Sequence, residues 1–229
     1  DEIKNKVPAI RLSLRGEATL NKNFARCIKY AKINGIKEVS TLTHGFKLTL
    51  PFFEEITNAG IDWITISIDG TYETYNEIRK PLKFEDLLKK ITDIKEYKEK
   101  RNLKKPVIKV QGIWPAIKKD PIKFYNTFKD IVDQVAFNPL IDYLDKDGDV
   151  EFEDNFSCPQ QYQRLVIGAD GLVMKCSNDE ENRELVGDIK KETVHEVWHG
   201  NKMRRVREMH NKKNGFLCSE ICKKCYLPR

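Results

Sequence analysis

The feature of the sequence that most constrains its fold is a regular alternation between short apolar runs and longer helical patterns over residues 8–140. The apolar or β-branched runs predict five strands: Ala9–Leu14, Glu38–Thr43, Asp62–Ile68, Val107–Ile113 and Gln134–Phe137. Stretches with helical spacing fill the gaps between them: Asn23–Asn34, Leu48–Ala59, Phe84–Arg101 and Ile122–Val132. Repeated strand–helix units of this kind predict a parallel sheet or barrel.

One face of the predicted sheet is polar. Polar and apolar residues alternate in Ile10–Glu17, in Ile64–Asp69 and again around Lys109 and Gln111, so each strand has one apolar and one polar face. Parallel sheets are covered on both faces, yet an ordinary eight-stranded barrel fills its interior with branched apolar side chains. We therefore expect a wider or incomplete barrel whose polar interior holds a polar ligand.

Three short motifs lie at the ends of successive predicted strands, where sites form in α/β folds. They are Arg15–Leu20 (RGEATL), Thr43–Gly45 (THG) and Ser67–Gly70 (SIDG). In order and spacing they resemble the GGEP-type, Thr-Asn-Gly and fourth-strand motifs of radical S-adenosylmethionine (radical SAM) enzymes. The resemblance extends over most of residues 8–140 and implies the family's α/β fold, a partial (β/α)6 TIM-like barrel, here without its first strand.

The resemblance also implies a site for S-adenosylmethionine, made by Gly16, Glu17, Thr43, Ser67, Arg79 and Leu140. Gly16 and Glu17 would hold the amino group of the cofactor, Ser67 and Arg79 its carboxylate, and backbone near Leu140 its adenine. Two simpler roles stay open, because Glu17 could cap the following helix and Arg79 could form a surface ion pair.

The sequence departs from the family's pattern at several positions. Ala18 stands in place of a proline and His44 in place of an asparagine, and we expect both to reshape the loops over the cofactor. The family's CxxxCxxC motif, which holds the radical-forming [4Fe-4S] cluster, is absent. Cys27 is the only cysteine before position 158, and we expect it to be a small buried residue of a helix. We infer that an N-terminal segment with the second [4Fe-4S] cluster is missing and that these residues alone are inactive.

The other five cysteines lie at positions 158, 176, 218, 222 and 225. No apolar stretch is long enough for a membrane span or a signal peptide, so we expect a cytoplasmic protein with no membrane partner, in which disulfides are disfavoured. A thioredoxin-like CxxC pair is disfavoured because such pairs begin a helix beside a strand. From spacing alone, a structural zinc site and an iron–sulfur cluster are equally open.

Cys158 and Cys176 flank a predicted hairpin whose turn is Asp170-Gly171. Together with the distant pair Cys222-x2-Cys225, this pattern resembles the SPASM or twitch extension of radical SAM enzymes, which binds auxiliary [4Fe-4S] clusters. The resemblance implies one cluster with Cys158, Cys176, Cys222 and Cys225 as ligands. Cys218 would be spare or could replace Cys222. The predicted domains are a barrel core at residues 1–141, a linker at 142–157 and a small hairpin-plus-helix iron–sulfur domain at 158–229.

By this resemblance the protein is a radical SAM oxidoreductase or maturase. S-adenosylmethionine would be split into methionine and a 5′-deoxyadenosyl radical, which removes a hydrogen atom from a peptide or protein side chain or from a sugar-type alcohol. An electron donor such as flavodoxin or ferredoxin would be required. Asp179 could act as a base or be a turn residue. The alternative function is a degenerate paralogue that serves as a zinc- or cluster-bearing binding module.

The net charge of +6 is spread along the chain and does not indicate a nucleic-acid partner. A basic stretch at Lys202–Lys213 could bind phosphate, but Met203, Val206, Met209 and His210 recur there at helical spacing. The favoured interpretation is an amphipathic helix with a solvated basic face. His195, His199 and His210 are predicted surface residues.

Overall fold

The computed structural model describes residues 2–138, 152–225 and 227–228. The chain divides into two compact units, Ile3–Leu140 and Ile141–Arg229, which are described one after the other. Within the described residues, no helix has both the length and the apolar character that crossing a membrane requires.

The first unit contains a five-stranded parallel sheet in the order β1-β2-β3-β4-β5. The strands are β1 (Ala9–Arg11), β2 (Glu38–Thr43), β3 (Trp63–Ser67), β4 (Val107–Ile113) and β5 (Gln134–Asn138). Between them lie the helices α1 (Phe24–Ile33), α2 (Leu50–Asn58), α3 (Tyr72–Ile78), α4 (Phe84–Lys100), α5 (Trp114–Ile117) and α6 (Pro121–Phe128), with a 3-10 turn at Ala18–Leu20. The parallel sheet with helices between its strands confirms the predicted α/β architecture.

The two faces of this sheet differ as the alternation predicts. Ile64 and Ile66 of β3 and Val110 of β4 are completely buried against the helices. Their neighbours of opposite parity, such as Ser67 and Gln111, are paired in register across the two strands and only half-buried. Because paired residues of adjacent parallel strands point to the same side, Thr65 and Ser67 of β3 form a polar patch with Lys109 and Gln111 of β4.

Asp62 directly precedes β3 and therefore lies at the amino ends of the parallel strands. Its carboxylate accepts hydrogen bonds from Lys32 Nζ and Lys105 Nζ at 2.7 Å and from the backbone N–H of Val39 at 2.9 Å. Burial alone would raise the pKa of this carboxyl group, but the hydrogen bonds from Lys105, Lys32 and Val39 hold the pKa below its usual value.

Replacing Asp62 with alanine is expected to lower the free energy of unfolding at pH 7 by about 1–3 kcal/mol, because the Val39 N–H is left buried without an acceptor. The lowered folded-state pKa means that this stabilisation is present above the unfolded pKa of about 3.9 and is lost as the pH falls through the folded value. Urea unfolding at several pH values measures the difference. Asp93→Ala, which breaks an exposed pair with Lys89, is the control and is expected to change little.

The second unit contains a three-stranded antiparallel sheet in the order β6-β7-β8, with β6 at Val166–Ile167, β7 at Leu172–Met174 and β8 at Leu185–Asp188. The predicted hairpin is therefore present, with Gly171 at φ +86° in its turn, and β8 adds a strand that was not predicted. The helices are α7 (Gln160–Gln163), α8 (Val194–His199), α9 (Asn201–His210) and α10 (Glu220–Lys223), with a 3-10 turn at Gly215–Cys218.

A small apolar core stabilises this second unit. Val173, Val186, Val197 and Met203 are buried together. Gly187 is required beside Val197, because a Cβ at position 187 would lie 2.5 Å from the Val197 Cγ2 atom. Thr193 and Glu196 form a reciprocal capping box at the start of α8, which fixes where this helix begins.

Helix α9 is amphipathic, in agreement with the favoured interpretation of the basic stretch. Met203 and His210 are buried, whereas Lys202, Arg204 and Arg205 are exposed. The prediction that His210 lies on the surface is wrong, because its ring is 1% exposed. His195 and His199 are exposed as predicted.

Candidate functional site

Glu17 lies at the carboxyl end of the sheet, directly before the 3-10 turn that follows β1. One carboxylate oxygen accepts hydrogen bonds from the Thr19 N–H at 3.2 Å and from the Thr43 hydroxyl at 2.7 Å. The other accepts from the His44 N–H at 2.8 Å. The structure therefore gives Glu17 both a capping contact and contacts to the end of β2, so the ends of two neighbouring strands are tied together.

The surroundings of Glu17 favour its ionised form. Burial raises the pKa of its carboxyl group, but the hydrogen bonds from Thr19, His44 and Thr43 outweigh that effect and leave the pKa below the usual value. His44 Nε2 lies 3.3 Å from the same carboxylate. A fixed negative charge at this strand end suits a cationic ligand group such as an ammonium.

Ser67, Asp69 and Arg79 meet at the end of β3. The Arg79 guanidinium donates to the Ser67 hydroxyl at 2.8 Å and to Asp69 Oδ2 at 2.6 Å. Arg79 keeps about a quarter of its side chain exposed, whereas the Asp69 side chain is 8% exposed. The pair is therefore not an exposed surface ion pair. Asp69 Oδ1 is buried without a hydrogen-bond partner among the described residues.

The other residues of the predicted cofactor site occupy different positions. Thr43 is 1% exposed. Its hydroxyl donates to Glu17 and accepts from the Gly45 N–H, so both of these hydrogen bonds are made within the protein. Gly16 is exposed at φ +68°, and a Cβ there would meet open space. The backbone conformation, rather than crowding, therefore favours glycine at position 16. Leu140 lies outside the described residues.

Four cysteines from distant parts of the second unit line one pocket: Cys158, Cys176, Cys222 and Cys225. Cys176 follows β7, and Cys222 and Cys225 lie in and just after α10. These are the four predicted cluster ligands. Cys218 is exposed in the 3-10 turn and does not line this pocket.

Three side-chain nitrogen atoms lie against the sulfurs of Cys222 and Cys225, and those of Lys175 and Asn178 are donors. Lys175 Nζ is 3.3 Å from Cys222 Sγ, and Asn178 Nδ2 is 3.2 Å from Cys225 Sγ. His210 Nε2 is 3.7 Å from Cys222 Sγ. Such donors favour the thiolate form of cysteine, which is the form that binds metals.

Burial holds the thiols of Cys158 and Cys176 in the neutral form. Burial raises the pKa of Cys176 to about 11 and also raises the pKa of Cys158, which the nearby Cys225 and Cys222 raise further. Burial also lowers the pKa of His210 to about 4, and the neighbouring Lys175 adds to this effect, so the ring is neutral at pH 7. A positive metal centre would have to displace the thiol protons. Four sulfur donors in one pocket are the ligand set of a [4Fe-4S] cluster, so the residues present fit that group.

Two other predicted residues have clear local roles. Asp179 is buried, and its two carboxylate oxygens accept hydrogen bonds from the backbone N–H groups of Arg183 and Glu184, both at 2.8 Å. These contacts match the turn role, and the role of a base stays a prediction. Cys27 lies in α1 as predicted, but it is exposed, so the expectation that it is a buried apolar residue is wrong.

Sequence analysis missed Lys175 and Asn178 as site residues. It also missed the burial of His210 and the contact of Asp69, a residue of the SIDG motif, with Arg79. The signal for His210 is its position seven residues after Met203, which places both on the same face of α9. Lys175 precedes Cys176, and no sequence pattern indicates that it turns inward.

Comparison with known proteins identifies the family. The Radical SAM superfamily sequence model matches residues 3–105, and that of SPASM, an iron–sulfur cluster-binding domain, matches residues 158–226. The chain is a radical SAM enzyme with a SPASM domain, and its cofactors are S-adenosylmethionine (AdoMet) and [4Fe-4S] clusters. No curated protein matches the sequence significantly.

Solved structures share the fold. Native anSMEcpe with bound AdoMet and Cp18Cys peptide is 15% identical, with a TM-score of 0.68 over 98% of this chain and 75% of that one. BtrN in complex with AdoMet and 2-DOIA is 17% identical, with a TM-score of 0.62 over 98% of this chain and 76% of that one.

Proposed function

We propose that this radical SAM enzyme removes a hydrogen atom from a peptide or protein side chain or from a sugar-type alcohol, and that its second unit holds one auxiliary [4Fe-4S] cluster. The observation that carries the proposal is the pocket lined by Cys158, Cys176, Cys222 and Cys225. Four thiolates match the ligand requirement of one such cluster. Cys218 is the spare cysteine in this proposal.

The match to the SPASM domain supports a cluster over a zinc ion, because that model describes an iron–sulfur cluster-binding domain and covers residues 158–226. All four cysteines that line the pocket lie within this range.

The ends of the sheet strands supply the groups for S-adenosylmethionine in this proposal. Glu17, with Gly16, would bind the ammonium group, because its carboxylate is held ionised. Arg79 and Ser67 would bind the carboxylate, with Asp69 fixing the guanidinium plane through a 2.6 Å hydrogen bond. Thr43 would orient Glu17, and backbone near Leu140 would contact the adenine.

The chemistry of the clusters and of S-adenosylmethionine generates the radical, and the protein orients the reactants and excludes water. The sequence contains no CxxxCxxC motif, so the proposed radical-forming cluster requires thiolates from outside these 229 residues. A flavodoxin or ferredoxin would supply electrons. Both substrate classes belong to the proposal, because one structural neighbour holds a peptide and another holds 2-DOIA.

The proposed domains are residues 1–141, 142–157 and 158–229. Asp179 is the proposed base.

Metal analysis of the 229-residue chain tests the proposal. After anaerobic reconstitution with iron and sulfide, the chain is expected to be brown and to hold about four irons and four sulfides. One zinc per chain and no iron in anaerobically purified protein would overturn the cluster and favour the alternative, a degenerate paralogue that acts as a zinc-bearing binding module.

A further inference from the structure

Lys175 is a fully buried lysine whose ammonium group faces three acceptors. Its Nζ lies 2.6 Å from Glu184 Oε2, 2.5 Å from Ser219 Oγ and 3.3 Å from Cys222 Sγ. A lysine ammonium has three N–H donors and no acceptor, so each proton has one partner. The positive charge is therefore held in a fixed position against one sulfur of the cysteine pocket.

Stability alone does not account for this arrangement. Removing an ammonium group from water is costly, and an apolar side chain of similar volume often stabilises a buried position as well or better. Here Glu184 neutralises the charge while about a third of its own side chain stays exposed. A buried positive charge beside a ligand sulfur also changes the electrostatic potential at the metal group that the sulfur binds.

Two neighbouring side chains also direct N–H groups at the ligand sulfurs, as Lys175 does. His210 Nδ1 accepts a hydrogen bond from the Cys158 N–H at 3.4 Å, so the ring proton is on Nε2, which faces Cys222 Sγ. Asn178 donates to Cys225 Sγ. Hydrogen bonds to ligand sulfurs and local charge are the means by which a protein sets the reduction potential of an iron–sulfur cluster.

We propose that Lys175 is a positioning residue that raises the reduction potential of the auxiliary cluster, and that Glu184 limits this rise as its counter-charge. The inference rests on the proposed function, because it requires a cluster on Cys222. Reduction adds one electron, and with it one negative charge, to the cluster without making or breaking a bond. The Lys175 ammonium stabilises the added charge, whereas the Glu184 carboxylate opposes it.

The test compares three single variants of the 229-residue chain, reconstituted anaerobically and titrated with dithionite under electron paramagnetic resonance. In Lys175→Met, the equilibrium constant for one-electron reduction is expected to fall at least tenfold, which is a shift of at least about 59 mV to lower potential. In Glu184→Gln the potential is expected to rise. Lys191→Met is the matched control, because Lys191 is 80% exposed, and its potential is expected to equal that of the wild type.

Opposite shifts in the two variants separate electrostatic tuning from general damage. If Lys175→Met does not retain iron, the inference is tested with Glu184→Gln alone. A higher reduction potential in that variant supports the inference. An unchanged or lowered potential in Glu184→Gln, or an unchanged one in iron-loaded Lys175→Met, overturns this inference and leaves the proposed function standing. Absence of any cluster in the wild-type chain overturns both.

Discussion

Replacing Cys222 and Cys225 together by alanine is expected to remove about four irons per chain, the content of one [4Fe-4S] cluster. The change takes away two of the four sulfurs that line the pocket with Cys158 and Cys176. It also removes one of the three acceptors of Lys175 and the sulfur acceptor of Asn178. Iron and acid-labile sulfide are measured after anaerobic reconstitution, beside the wild-type chain.

Two single variants control this experiment. Cys218→Ala and Cys27→Ala each remove an exposed cysteine, and both are expected to retain the full iron content. A loss of iron in Cys218→Ala would show that Cys218 is a ligand and that the assignment of Cys222 has to be revised. An unchanged iron count in the double variant would show that the terminal pair does not bind the cluster.

Most of the fold could be predicted because apolar residues recur at regular spacing in most of its strands and helices. The five strands appear close to their predicted positions, although β1 ends at Arg11 rather than Leu14. Helices α3 and α5 were missed, since seven and four residues carry too little periodicity to recognise. Strand β8 was missed for a related reason: its four residues include Gly187 and an aspartate, which strands disfavour.

The site could be predicted only where unusual residue types mark it. Cysteines are rare in this chain, so their spacing alone points to the pocket. The donors that surround the sulfurs are common residues whose roles depend on the tertiary structure. Lys175 is one lysine among many, and only the approach of Glu184 and Ser219 makes its burial possible. Asp69 is similar, because its importance comes from the position of Arg79 ten residues later.

Arg79→Gln is expected to weaken the binding of S-adenosylmethionine to the full-length protein by at least about tenfold, because a charged hydrogen bond to a carboxylate contributes about 1.5–3 kcal/mol. Ser67→Ala is expected to have a smaller effect in the same direction. Calorimetric titration measures both affinities. Arg101→Gln is the matched control, since Arg101 is 57% exposed and pairs with Glu54, and its affinity is expected to be unchanged.

The Arg79 variant also leaves the buried carboxylate of Asp69 without its partner, and a double variant separates this effect from lost binding. In Arg79→Gln with Asp69→Asn, the unpaired charge is gone, so thermal stability is expected to recover. The affinity for S-adenosylmethionine is expected to stay low, because the guanidinium that binds the cofactor carboxylate is still missing. Recovery of the affinity in the double variant would mean that Arg79 serves only to neutralise Asp69, and the carboxylate site would then have to lie elsewhere.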